Sequence, residues 1–229
     1  MPTRFTPTEQ RLIARLRTPL QVQRWLNALP YNTEPHGETQ RSFRSVVAVG
    51  AAHCMEAAMC AATVLEVHEW PPLVMSLESE DKLDHVVFVY RTGTGWGSIA
   101  KSRDPGLHGR RPVFRTLRDL ACSYVEPYVD DSGRITGYGV FDLRSLGRYD
   151  WRCSTRNLWR VENALIELPH RPIRSADARI DALRRRYHAF MRAYPGFKPL
   201  YYRGQHRWPP LPAAFAPSVR LQRKLARAR

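Results

Sequence analysis

Two cysteines interrupt an alanine-rich stretch, GAAHCMEAAMCAATVLEVH, at residues 50–68. A cysteine there can be small core packing, a metal ligand, or a nucleophile at the head of a helix. The spacings of Cys54, Cys60, Cys122 and Cys153 miss the paired C-x2-C pattern of structural zinc. No metal and no cofactor are therefore expected, and neither a phosphate-binding G-x-x-x-x-G-K-[ST] loop nor a dinucleotide fingerprint is present. A thiol acts as a nucleophile in its thiolate form, which free N–H groups and the dipole at a helix N-terminus stabilise. Gly50 precedes a helix-favouring run from about Ala52 to Val67. Cys54 falls in its first turn and Cys60 further in, where the dipole has faded, so Cys54 is the favoured nucleophile. Inert packing is the competing reading, and the commoner fate of a buried cysteine.

A thiolate used for acyl transfer needs a base. His85 lies on LDHVVFVYR, a clear strand, and shares its face with Leu83, Val87 and Val89. A histidine among apolar strand neighbours is unusual without a partner. Packing this strand on the central helix predicts His85 beside Cys54, the Cys–His arrangement of thiol acyl transfer. His53, His68 and His108 compete for the role.

The elements that must position these residues follow from pattern. Residues 8–29 read as two helices separated at Pro19. Residues 42–49 fit helix or strand equally. The run from Ala52 to Val67 is apolar nearly all round, as a buried central helix is. PLVMSLES, LDHVVFVYR and WGSIA read as strands, the last two as a hairpin. A loop, a short helix over TLRDLACSYVEPY, another strand, and a helix from about Leu158 follow. Residues 175–194 predict a helix with Ser175 as N-cap. Beyond it lies a segment rich in proline and aromatics, then VRLQRKLARAR, a short basic helix or a frayed end.

The order GAAHCMEAA, LDHVVFVYR, GWGSIAKSRDP resembles the transglutaminase-like superfamily of papain-like cysteine enzymes, over roughly residues 20–105. The resemblance implies an α+β, papain-like fold with the Cys-bearing helix on an antiparallel sheet. It also implies Cys54 as nucleophile, His85 as base, and an aspartate on the next strand behind a tryptophan. Trp96 is followed by no acid on its strand, so Asp104, before Pro105, is the candidate third member, with Ser98 or Ser102 as alternatives. Glu56 and the turn at Tyr31–Asn32 also fit the pattern. Tyr31, Asn32 and Trp96 are the candidate substrate-binding residues, although Trp96 can equally fill core.

Composition bounds the rest. The 229 residues are 43% hydrophobic and 25% charged, a globular balance rather than a disordered one. No apolar run is long enough to span a membrane, and the first residues do not form a secretory signal, so a cytoplasmic protein is expected. The net charge is +15, and residues 171–229 hold 15 Lys/Arg against Asp177 and Asp181. The chain thus divides into a nearly neutral catalytic body, 1–170, and a basic extension, 171–229. The extension is either a solvated appendage or a surface for an acidic partner or nucleic acid. Lys101, Arg103, Arg110 and Arg111 follow the site closely and read as surface cations or as contacts to an acidic substrate segment. Two function classes emerge. One is thiol-dependent acyl transfer on an amide or peptide bond of a peptide or protein substrate. The other is a catalytically silent module that binds protein or nucleic acid through the same cleft or the extension.

Overall fold

A computed structural model of the chain describes residues 5–227; Met1–Arg4 and the last two residues of the basic C-terminus lie outside the described residues. The first two helices, α1 (Pro7–Arg15) and α2 (Pro19–Ala28), each begin with threonine, proline and a reciprocal side-chain cap. The ambiguous segment is a helix, α3 (Phe43–Val49). Ser42 accepts from the Ser45 N–H at its start, and Gly50, at φ +77°, closes it in a left-handed conformation that favours glycine.

The central helix α4 (Cys54–Glu66) is buried from Met55 to Leu65. It lies on an antiparallel sheet with strand order β4-β3-β2-β1-β5-β6. The strands are β1 (Leu73–Ser79), β2 (His85–Thr92), β3 (Gly95–Ile99), β4 (Arg110–Phe114), β5 (Ile135–Asp142) and β6 (Arg171–Pro172). This is the papain-like, transglutaminase-like α+β architecture that the residue order implied. The strand β4 replaces an expected loop. Its sequence, RRPVF, hides the strand because proline lacks a ladder donor, and it fits here because β4 is the sheet edge.

Strand alternation divides the core. Val74, Val86, Phe88 and Ile99 face α4, together with Val22 and Leu26 of α2 and Phe43 and Val46 of α3. Met75, Leu77, Val87 and Val89 face the other way, against Leu120, Ala121 and Tyr124 of α5 (Leu117–Tyr128). Burying each such Val, Leu or Phe contributes about 1.5–3 kcal/mol, so α4 is fixed by packing on both sides. Next come α6 (Trp159–Ile166) and α7 (Asp177–Ala193). The N-cap of α7 is Ala176, not Ser175, and it makes no side-chain cap. Residues beyond 170 join the body: β6 completes the sheet, and Ile173 packs with the α5 side. Leu200, Tyr202 and Trp208 form a small cluster of their own, and α8 (Ala216–Arg227) ends the described chain.

Candidate functional site

Cys54 is the first residue of α4, half-buried, with His53 as the extended N-cap. Among the described residues, no side chain accepts from the Cys54 or Met55 N–H, so the first turn keeps donors for an anion. Burial raises the cost of a thiolate. Interaction with the His53 and His85 imidazoles outweighs that cost and holds the Cys54 thiol well below its usual range. Cys60, by contrast, is enclosed in the same helix, and burial and the Glu56 charge push its thiol well up.

The two imidazoles arrive by different routes. His85 opens β2 opposite Leu77 and keeps the parity of Val87 and Val89, the face turned away from α4. Cys54 and His85 nevertheless line one cleft, with α4 starting at Cys54 and β2 at His85. The His85 ring stands edge-on to Tyr124 at 5.9 Å, and its Nε2 lies 2.9 Å from the Leu107 carbonyl. A carbonyl only accepts, so Nε2 carries the proton and Nδ1 keeps the lone pair.

His53 lies 2.7 Å from the Thr39 carbonyl through its own Nε2. Burial opposes its charge, but interaction with Cys54, the Glu56 charge and the Thr39 carbonyl outweigh that and raise its pKa to about 9. Sequence reasoning ranked His53 only as a competitor, because neighbouring helical side chains diverge. At an extended N-cap that divergence does not hold, and the histidine just before the cysteine was the available signal.

Beneath the pair lies Glu56, with no exposure. It accepts from the His53 and Arg41 N–H groups, the Thr39 hydroxyl and the Asn32 amide, all between 2.8 and 3.2 Å. It ties the 31–41 loop onto the start of α4. Asn32 is thus a buried latch, 5% exposed, that also bonds Thr39, while Tyr31 lines the cleft with the Arg103 guanidinium 5.8 Å from its ring centre.

The third-member candidates sit as follows. Asp104 lines the cleft, and its carboxylate pairs with Lys198 at 2.8 Å. Its backbone begins the turn Pro105–Leu107, whose last carbonyl holds His85. Among the described residues, no carboxylate pairs with the His85 ring. Ser98 bonds the Tyr124 hydroxyl at 2.7 Å, and Ser102 accepts from the Asp104 N–H. Trp96 pairs with Arg91 in the hairpin. Six residues of strand separate Arg91 from His85, about 20 Å at the usual rise, so Trp96 lies outside the cleft.

The other histidines and most nearby cations have structural duties. His68 bonds the Ile13 carbonyl, and His108, 2% exposed, has its pKa lowered to about 3 by burial. Lys101 donates to the Leu26 and Leu29 carbonyls at the end of α2. Arg110 is enclosed between the Tyr124 and Trp208 rings, and Arg111 donates to the Trp208 carbonyl. Of the cations read as surface contacts, Arg103 alone lines the cleft. That cleft has a volume of about 420 Å³ and contains Cys54, His53 and His85.

Among the described residues, no group of histidine, cysteine and acidic side chains is arranged to hold a metal ion, and no helix is long and apolar enough to cross a membrane. No protein-family model and no curated protein matches the chain. Solved structures of Legionella pneumophila LapG are similar to it. One shares 15% identity, covering 65% of this chain and 88% of that one, with a TM-score of 0.38. Its calcium-bound form shares 13% identity, covering 72% and 92%, with a TM-score of 0.33. The likeness is distant, and it is a likeness of fold.

Proposed function

We propose that this protein is a cysteine-dependent acyl-transfer enzyme acting on an amide or peptide bond. The observation that carries this reading is a thiol at the open end of a buried helix, lining one cleft together with two imidazoles. With its pKa raised to about 9, His53 stays cationic at neutral pH and steadies the thiolate. His85, with Nε2 anchored and Nδ1 free to accept, is the better base. It takes the Cys54 proton ahead of the attack, and the resulting thiolate adds to the carbonyl carbon. The first-turn N–H groups hold the oxyanion. The His85 imidazolium then protonates the leaving amine, and the C–N bond breaks to leave a thioester on Cys54. Water completes hydrolysis, and an amine completes transamidation.

The Leu107 carbonyl orients His85 as a carboxylate would, but stabilises its cation less. The Asp104 contribution in this reading is to shape the turn that presents that carbonyl. A peptide aldehyde, which traps a nucleophilic thiol as a hemithioacetal, tests the assignment. Reduction-free intact-mass and competition measurements should show one adduct, lost in Cys54→Ala and retained in Cys122→Ser. Failure of a panel of such aldehydes to protect Cys54 from alkylation would favour the silent-module reading.

A further inference from the structure

We propose that the cleft selects a cationic peptide segment, so that lysine or arginine side chains flank the amide presented to Cys54. The inference rests on the enzyme reading for which bond is attacked, but not for what is bound.

The chain carries a net +15, yet seven carboxylates line the cleft against two Lys/Arg side chains, Lys82 and Arg103, and the His53 imidazolium. One group, Glu34, Glu38 and Glu162, comes from the 31–41 loop and α6, on the His53 side. The other, Asp81, Asp84 and Asp130, comes from the β1–β2 turn and the loop after α5, on the His85 side. Glu34 sits 3.7 Å from the His53 ring. Among the described residues, the other five have no lysine or arginine within ion-pair distance. Burial and the charges of Glu38 and Glu34 outweigh a hydrogen bond from Gln40 and hold the Glu162 carboxyl above its usual range. Carboxylates gathered in a concavity reinforce one another's field, which attracts cations and repels an acidic segment.

A second observation is independent of that charge. Gln40, 9% exposed, lines the same cleft. Its Nε2 donates to Glu162 at 2.6 Å, while its buried Oε1 has no partner among the described residues. A buried acceptor left unpaired is costly, and a donor supplied by a ligand removes that cost. The walls suit the same ligand. Tyr128, Tyr187 and Tyr202 present rings, and Leu83 and Ile166, each 67% exposed, form an apolar rim for aliphatic stems. The seventh carboxylate, Asp104, already holds an ammonium, that of Lys198 in the chain's own extension.

The test compares a short fluorescent peptide bearing lysines with its norleucine counterpart, by anisotropy on the full chain. A norleucine control is used because a glutamate peptide would bind the basic extension. The lysine peptide should bind at least about tenfold tighter at low salt, and the difference should vanish at about 1 M salt. It should also vanish in Glu38→Gln/Glu162→Gln/Asp84→Asn. Glu38→Gln alone, at an exposed carboxylate with no hydrogen bond, should weaken it and keeps the test readable if the triple variant misfolds. Equal affinity for the two peptides, or a preference untouched by these substitutions, overturns the proposal. An inert Cys54 with preference intact refutes the enzyme reading alone; a reactive Cys54 without preference refutes this inference alone.

Discussion

The cations behind β3 and the carboxylates in the cleft lie close together, yet they are put to opposite uses. Lys101 and Arg110 are 3% and 1% exposed. Arg110 spends its donors on the His108, Gly109, Gly106 and Ser123 carbonyls and the Ser123 hydroxyl. The cleft carboxylates Glu38, Asp84 and Glu162 keep at least one face toward solvent and no basic side chain within ion-pair distance. Charge near a site therefore says little until its hydrogen bonds are followed to their ends. Cations whose bonds close on buried carbonyls and hydroxyls hold the scaffold, while carboxylates without cations remain available to a ligand.

Substitutions sharpen that contrast. On the reactive side, His85→Ala should slow alkylation of Cys54 at neutral pH by at least about 100-fold, the lower range for loss of a general base. The rate at Cys122 in the same sample serves as the reference. On the scaffold side, Arg110→Met should cost about 3–5 kcal/mol, read from urea unfolding, because several carbonyls lose a charged donor at once.

Lys101→Met should cost about 1–3 kcal/mol at neutral pH through the two orphaned α2 carbonyls. It should also change the pH dependence. Burial lowers the Lys101 pKa to about 8, against an unfolded value of about 10.4. Between those values the unfolded chain binds more protons, so stability rises with pH. The burial penalty is fully present below pH 8 and relieved above about 10.4. Wild-type stability relative to the variant should therefore rise across that window, and a flat difference would show that the ammonium is solvated. Trp96→Phe should have the smallest effect, leaving the Cys54 rate within about twofold, since the indole lies at the far end of the hairpin.

Much of this organisation is legible in the sequence. The apolar, alanine-rich run from 54 to 66 could bury all its faces only as a central helix, and the alternation of VVFVY fixes both faces of β2. Placing a cysteine at the head of that helix required no tertiary knowledge. What stayed hidden depended on distant partners. His85 shows its parity in sequence, but not that it shares a cleft with Cys54, because that depends on where α4 starts relative to β2. The fate of Lys101 and Arg110 is set by carbonyls of α2 and of residues 106–109, which no local pattern reveals. A proline masked β4, and an extended N-cap brought His53 to a thiol that helical geometry would have turned it from. Asn32 and Glu56 belong to a buried hub whose members are 24 residues apart.

The most direct test of the central claim is the pH dependence of Cys54 alkylation by iodoacetamide, followed by peptide mapping. Both neighbouring imidazoles favour the thiolate. The rate should therefore stay high as pH falls well below about 8.5, where an ordinary thiol has lost its nucleophilic form. The midpoint should move upward in His85→Ala and in His53→Gln. A wild-type midpoint at or above about 8.5, unmoved by either substitution, would contradict the account.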